Sequence, residues 1–398
     1  MSIRGVVLGA VALLLAACGG GGGVTFPPAP TPTPETTPAP TPTRGATTGE
    51  PLEDLRVAFV NLAMPPAPPD PDADDATPSP QMPMEATTFD ARLTGLAREL
   101  EEFAADIIIV NEASWMRDMG RATRLAEILK MEFSYTRANP WPEGRSREES
   151  DALVDAYGYE EGELVLVRPP LRLLEAETAA LEPRHPETGE RRVALRVLVG
   201  LPYSDETFTV YGTNFPWDDP GINEELAHGF VAFVEATRGE GPIVGASGVA
   251  TPAPEVLAIF AEAGLVDVVA DALGEEAPAT CCRESLSAPE APDESADDDG
   301  ENGDAGEEPE EPGAPDEAPE MAERRDFVFT DGWRASSVTL LAVDPVTLAN
   351  GRRVYISDHL GLGLVFALDS TRSAETGPAP WPVTGARSSP LTCSRPAP

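Results

Sequence analysis

The chain has 398 residues, enough for one large or two medium domains, and 41% of them are hydrophobic, which can supply a sizeable core. Its 28 basic residues stand against 68 acidic ones, a formal charge of −40, and Lys130 is the only lysine. Such a field repels nucleic acid and anionic membrane surfaces at long range, so the charge argues against long DNA or RNA as a partner.

The first 18 residues read as a targeting segment, with Arg4 ahead of the apolar run "GVVLGAVALLLAA", which is too short to span a bilayer. The run ends at "LAAC", Leu15 to Cys18, which resembles the lipobox of bacterial lipoproteins. That resemblance implies lipidation of Cys18, anchoring in a membrane, and an extracytoplasmic location at the outer membrane or cell surface. Residues 19–51 form a Gly-rich and then Pro/Thr-rich tether in which "PAPTPT" occurs twice, from Pro28 and from Pro38. Such a chain favours extended polyproline II and packs no core. A second proline-rich stretch, Pro65 to Pro83, reads as a surface loop.

The folded domain is expected over 52–369, with strands and helices alternating. "LRVAFVNL" reads as a strand. "TTFDARLTGLARELEEF" places Phe89, Leu93, Leu96, Leu100 and Phe103 on one helical face, and Thr87 with Asp90 resembles a capping box. "DIIIVNE" is a continuous apolar run, as expected of a strand covered on both faces, and "ATRLAEILKM" reads as a second amphipathic helix. Strands follow at 163–167, 192–200 and 207–213, then a helix near 223–237, the strand "PIVGA" and a helix from Pro254 to Ala263. An acidic Pro/Gly segment over 285–323 contains no basic residue and is expected to be disordered. Its "DDDGENGD" lacks the closing glutamate of an EF-hand calcium loop. "DFVFT", "SVTLLAV" and "LGLGLVFAL" complete the strands, and 370–398 is a Pro/Ser-rich tail. This order suits a layered α/β sandwich.

Polar residues fall at strand ends: Asn61, Glu112, Asp326, and the pair Asp358–His359 in "YISDHLGLG". With "DIIIVNE", "EEGELVLVRPPL", and "TCCRESL" ahead of "RRDFVF", this succession resembles the endonuclease/exonuclease/phosphatase superfamily, the DNase I-like fold. The resemblance implies a four-layer α/β sandwich, with two central sheets flanked by helices. It also implies Mg²⁺ or another divalent cation hydrolysing a phosphate ester. By resemblance, Asn61 and Glu112 belong to the metal site and Asp358 lies beside it. His359, oriented by Asp326, contacts the phosphate or acts as general base. The residues have plainer readings too: a turn residue for Asn61, acidic surface for Glu112, and a pairing of Asp326 with Arg324 or Arg325.

Two positions depart from the pattern. The superfamily carries "T-H-L" at the end of a middle strand, but here the strand ends in "TNF", placing Asn214 where a phosphate-contacting histidine is expected. The superfamily then carries a "G-D-x-N" turn, but "GASGVATP" holds neither acid nor amide. The two positions fall on Ser247 and Val249, or on Ala246 and Gly248, according to the alignment. Three readings follow: a pseudoenzyme or very weak hydrolase; a working phosphodiesterase or phosphatase on a small phosphoester or lipid headgroup, with Asp218 or Asp219 supplying a carboxylate; or a structural surface lipoprotein that binds a protein partner. Of the remaining cysteines, one of Cys281 and Cys282 is expected to pair with Cys393. The "CC" pair, with no histidine near it in sequence, is not expected to bind zinc.

Overall fold

The computed structural model describes residues 52–62, 88–116, 120–139, 147–157, 159–186, 190–217, 219–250, 254–283, 286–288, 321 and 323–368. The lipobox, the tether, the Pro65–Pro83 stretch, Asp218, the interior of the acidic segment, Cys393 and the tail lie outside the described residues. The strands are β1 (Asp54–Asn61), β2 (Ile107–Asn111), β3 (Trp115–Met116), β4 (Gly120–Arg121), β5 (Glu132–Asn139), β6 (Tyr159–Val167), β7 (Arg172–Leu181), β8 (Arg192–Gly200), β9 (Thr207–Phe215), β10 (Ile243–Val249), β11 (Val266–Asp267), β12 (Asp326–Thr330), β13 (Ala335–Leu341), β14 (Val346–Thr347), β15 (Arg353–Val354) and β16 (Gly361–Ala367). The helices are α1 (Phe89–Phe103), α2 (Arg124–Leu129), α3 (Arg147–Tyr157), α4 (Pro220–Thr237), α5 (Pro254–Glu262) and α6 (Val268–Leu273).

One sheet runs β13-β16-β1-β2-β6-β3-β4, with β5 also on β6, and the second runs β11-β12-β10-β9-β8-β7. Both are mixed: β1 with β2 and β9 with β10 are parallel, whereas β1–β16, β8–β9 and β10–β12 are antiparallel. Side chains alternate across each strand, so odd positions of β1, β2 and β6 share one face. Leu55, Val57, Phe59, Ile107, Ile109, Val165 and Val167 on that face pack with Val197, Val210, Val244 and Val328 of the second sheet. The opposite face of the first sheet (Val60, Ile108, Val110, Leu164) packs on Leu93, Leu96 and Leu100 of α1 and Leu125 of α2. The outer face of the second sheet (Tyr211, Phe215, Phe329) packs on Phe230 of α4 and Phe260 of α5. Helix, sheet, sheet, helix is the four-layer sandwich expected.

Local expectations are corrected at several points. The N-cap of α1 is Thr88, with no side-chain cap hydrogen bond, and Asp90 instead pairs with Arg124 across the surface at 2.6 Å. Strand β6 begins at Tyr159, and helix α4 begins at Pro220. Strands β5 and β7 were not anticipated; their runs are too polar and exposed to show an apolar period. The ends of the acidic segment are ordered: Leu286 packs on Tyr355, Ser287 bridges Val354, and Glu323 bridges Cys281.

Candidate active site

The face that forms the core between the sheets turns polar at one end. Continuing the parity of its apolar residues, β1 ends in Asn61, β2 in Asn111 and β9 in Asn214, while β6 carries Glu161 and Glu163. Strand pairing sets Asn61 beside Asn111, Asn214 beside Gly248, and Gly248 beside Asp326. Asn214, Gly248 and Asp326 therefore form one row across three strands, facing the ends of β1 and β2.

Glu112 follows β2 with φ at 52°, a left-handed conformation that costs a non-glycine residue free energy and turns its side chain into the site. Two amides hold it there: Asn61 Nδ2 donates to Glu112 Oε1 at 3.2 Å and Asn214 Nδ2 donates to the same oxygen at 3.1 Å. Burial raises the pKa of Glu112, Glu161 raises it further, His359 opposes the rise, and Asp358 adds to it. A loop holds Asp358 and His359 in place. The Ser357 hydroxyl donates to the Asn61 carbonyl at 2.7 Å and accepts from the His359 amide at 3.1 Å. Asp326 accepts through Oδ2 from His359 Nδ1 at 2.8 Å. Burial pulls the His359 pKa down, but the charge and hydrogen bond of Asp326, with Asp358 and Glu112, outweigh it and carry the pKa from 6.5 to about 9. His359 is therefore an imidazolium at neutral pH, suited to meeting an anion.

Asn61, Glu112, Asn214, Asp326, Asp358 and His359 thus gather at one end of the sandwich. Arg324 and Arg325 do not compete for Asp326; they pair with Asp267 and Glu323. The oxygen donors suit a hard divalent cation such as Mg²⁺: the Glu112 carboxylate, the half-exposed Asp358, and the buried Asn61 Oδ1, which has no hydrogen-bond partner.

The pairing register decides between the two alignments of the turn. Ser247 and Val249 point to the other face, where Val249 packs with Phe215 and Phe327, so the positions facing the site are Gly248 and its same-face neighbours. Gly248 cannot carry a side chain without movement: a Cβ there would lie 2.6 Å from Asn214 Oδ1 and 3.3 Å from Asn111 Nδ2. Asp219 is not a replacement acid, because it caps α4 by accepting from the Gly221 and Ile222 amides at 2.9 and 3.2 Å.

Two features were missed from the sequence. Glu163 is buried with no hydrogen-bond partner for Oε2, and burial, with Glu161 and Glu112 nearby, holds its pKa well above the carboxylate range. Its signal was an acid at an inward position of "GELVLV", in phase with Val165 and Val167. The second feature is the cysteine pair. Cys281 and Cys282 are bonded to each other rather than to Cys393, and the histidine absent from their sequence neighbourhood arrives from the last loop. His359 Nε2 lies 3.5 Å from Cys281 Sγ and 3.9 Å from Cys282 Sγ. Thr280 Oγ1 accepts from the amides of Arg325 and Asp326, and Arg283 donates to the Ser357 carbonyl at 2.6 Å, which stitches the "TCCR" segment to both β12 and the Asp358–His359 loop.

No protein-family model matches the sequence, and no curated protein matches it. Solved structures do. An endonuclease/exonuclease/phosphatase family protein from Bacteroides thetaiotaomicron superposes with a TM-score of 0.52 at 12% identity, covering 80% of this chain and 99% of that one. A second, from Bacteroides vulgatus, gives 0.51 at 12% identity over 79% and 99% of the two chains. The mannosyl-6-phosphatase of Bacteroides thetaiotaomicron gives 0.50 at 12% identity over 78% and 98%. With the two sheets, their flanking helices and the polar strand ends already in place, these superpositions give the chain the DNase I-like α/β sandwich fold of the endonuclease/exonuclease/phosphatase superfamily.

Proposed function

We propose that the chain is a membrane-anchored extracytoplasmic protein that keeps the metal-holding half of a phosphoester hydrolase site and lacks its water-activating half. It is a pseudoenzyme or a very weak hydrolase. The observation that carries this reading is the row Asn214–Gly248–Asp326, where the central position, packed against Asn214 and Asn111, is a glycine. No carboxylate stands there to orient or deprotonate water, and loss of a positioned acid or base costs roughly 10²–10⁴ in rate. Asn214 donates a hydrogen bond to Glu112 but brings no positive charge to a phosphate. The cysteine sulfurs support the same reading, since they stand beside the nitrogen of His359 that is left to meet a phosphate. A bound Mg²⁺ would offset charge on phosphoryl oxygens. Asn61, Glu112 and Asp358 would hold it, and His359 adds one positive charge beside it.

The test is turnover of a panel of phosphomonoesters and phosphodiesters by the full chain with Mg²⁺, Mn²⁺ or Ca²⁺. Wild type is expected to bind the cation and turn over little. Asn214→His with Ala246→Asp and Gly248→Asn, the alignment on the face the register identifies, is expected to raise activity by about 10². Adding Glu112→Ala should abolish the gain. Robust wild-type turnover dependent on Glu112 overturns the reading. Absence of cation binding leaves Asn61, Glu112 and Asp358 as relics in a structural lipoprotein.

One observation favours a working enzyme as the second reading: Glu163, a buried acid of raised pKa with one oxygen lacking a hydrogen-bond partner, is a candidate general acid. Its substrate class is then a small phosphoester, in keeping with the negative charge of the chain and with the phosphatase among its structural neighbours. Under this reading wild-type turnover is present and Glu163→Gln removes it.

A further inference from the structure

Among the described residues, one group of three metal-ligating side chains brings its ligand atoms within 4.8 Å of one another: Cys281, Cys282 and His359. We propose that, once its two sulfurs are reduced, this cluster binds a thiophilic divalent cation, zinc(II), through both thiolates and His359 Nε2. The inference goes beyond the function proposed above and does not depend on it.

Distance supports it first. A Zn–S bond of about 2.3 Å and a Zn–N bond of about 2.0–2.1 Å, set at the tetrahedral angle, subtend an S···N edge of about 3.6 Å. The edges here are 3.5 and 3.9 Å. Once reduced, the two sulfurs, bonded to each other in this structure, must part to an S···S edge of about 3.8 Å, the edge that two Zn–S bonds of about 2.3 Å subtend.

Orientation supports it second. Metal-binding histidines characteristically donate their other ring N–H to a carboxylate, which sets the ring angle and raises the basicity of the ligating nitrogen. Asp326 does this for His359 through Nδ1, and so turns Nε2 toward the sulfurs. The scaffold is fixed as well: the Arg283 amide donates to the Asp358 carbonyl at 2.9 Å and the Leu360 amide donates to the Thr280 carbonyl at 2.7 Å, so the two ligand segments cannot drift apart. Cys281 is buried, whereas Cys282 and His359 are only half-buried, which leaves the cation a way in.

The sulfurs form a disulfide in this structure, so the site is conditional on reduction. A dithiol donor takes the two electrons' worth of oxidation: it closes to its own disulfide while passing two hydrogens to Cys281 and Cys282. Each thiol then releases a proton as its thiolate binds zinc, and the His359 imidazolium releases the proton on Nε2 as that nitrogen binds. Zinc at Nε2 withdraws His359 from the oxygen-donor site beside it.

The test uses the full-length chain, reduced with a phosphine, which becomes its oxide by taking oxygen from water, and then freed of the reagent. Cobalt(II) titration should give a stoichiometric complex with thiolate-to-metal charge-transfer and tetrahedral d–d bands, both bleached by zinc and absent from oxidised protein. The bands should persist in Cys18→Ser with Cys393→Ser and vanish in Cys281→Ser with Cys282→Ser. No charge-transfer band in reduced wild type, or one that survives the Cys281/Cys282 substitutions, overturns the proposal. Should the latter variant fail to fold, alkylation of reduced wild type decides. Zinc must protect Cys281 and Cys282 but not Cys393, and equal labelling with and without zinc overturns the proposal. Phosphoester turnover is not read, so this test and the one above fail independently.

Discussion

At Glu112 the chain accepts a left-handed backbone that an L-residue ordinarily avoids, and the amides of Asn61 and Asn214 hold the side chain where that turn sends it. Gly248 is the complement, since its missing side chain leaves the space that Asn214 occupies. In Gly248→Ala the new methyl meets the amide end of Asn214, which must swing away and release Glu112. Destabilisation of about 1–3 kcal/mol is expected in urea unfolding; a neutral change would show that the Asn214–Glu112 bond adds nothing. His359 makes a pH prediction. Its pKa rises from 6.5 to about 9 on folding, so the stability it adds is complete below about pH 6.5 and fades as pH climbs through 9. The stability difference between wild type and His359→Gln should shrink over that interval, by an amount on the order of 3 kcal/mol. A difference that stays flat from pH 6 to 10 would contradict the Asp326–His359 coupling.

At the scale of elements, strand register does what side-chain chemistry alone cannot. β10 places Gly248 between Asn214 and Asp326, so one residue of slip would put Ser247 there and turn Val249 to the site. The outer layer is held by aromatic packing: Phe260 of α5 lies 4.5 Å, centroid to centroid, from Phe329 of β12 and 5.7 Å from Phe230 of α4. Phe260→Ala removes a fully buried ring, and a loss of about 3–5 kcal/mol is expected in thermal or chemical unfolding. A loss under ~1 kcal/mol would mean that α5 collapses onto the sheet and refills the space. Most of these elements were legible because their period is strong. α1 shows its apolar face, and β2 its continuous apolar run, directly. β5 and β7 were not legible, because their stability comes from pairing with β6 and β8 rather than from an apolar period of their own.

For the whole molecule, the formal charge of −40 and the "LAAC" segment belong together in the proposed setting, a domain held at a membrane by lipid rather than by surface charge. Cys18→Ala is expected to move the protein from the membrane to the soluble fraction; unchanged fractionation would remove the anchor from the proposal. The sequence by itself determined the alternation of strands and helices, the succession of polar strand ends from Asn61 to His359, and the absence of an acid between Glu240 and Glu255. These are local or ordinal properties, readable from period and spacing. Only the tertiary structure decided which face of β10 meets the site, that Glu163 lies buried with its Oε2 lacking a hydrogen-bond partner, and that His359 stands against cysteines 77 and 78 residues away. The reason is physical: a period of two assigns residues to a common face, but strand pairing and loop closure choose what that face meets, and those depend on contacts between segments distant in the chain.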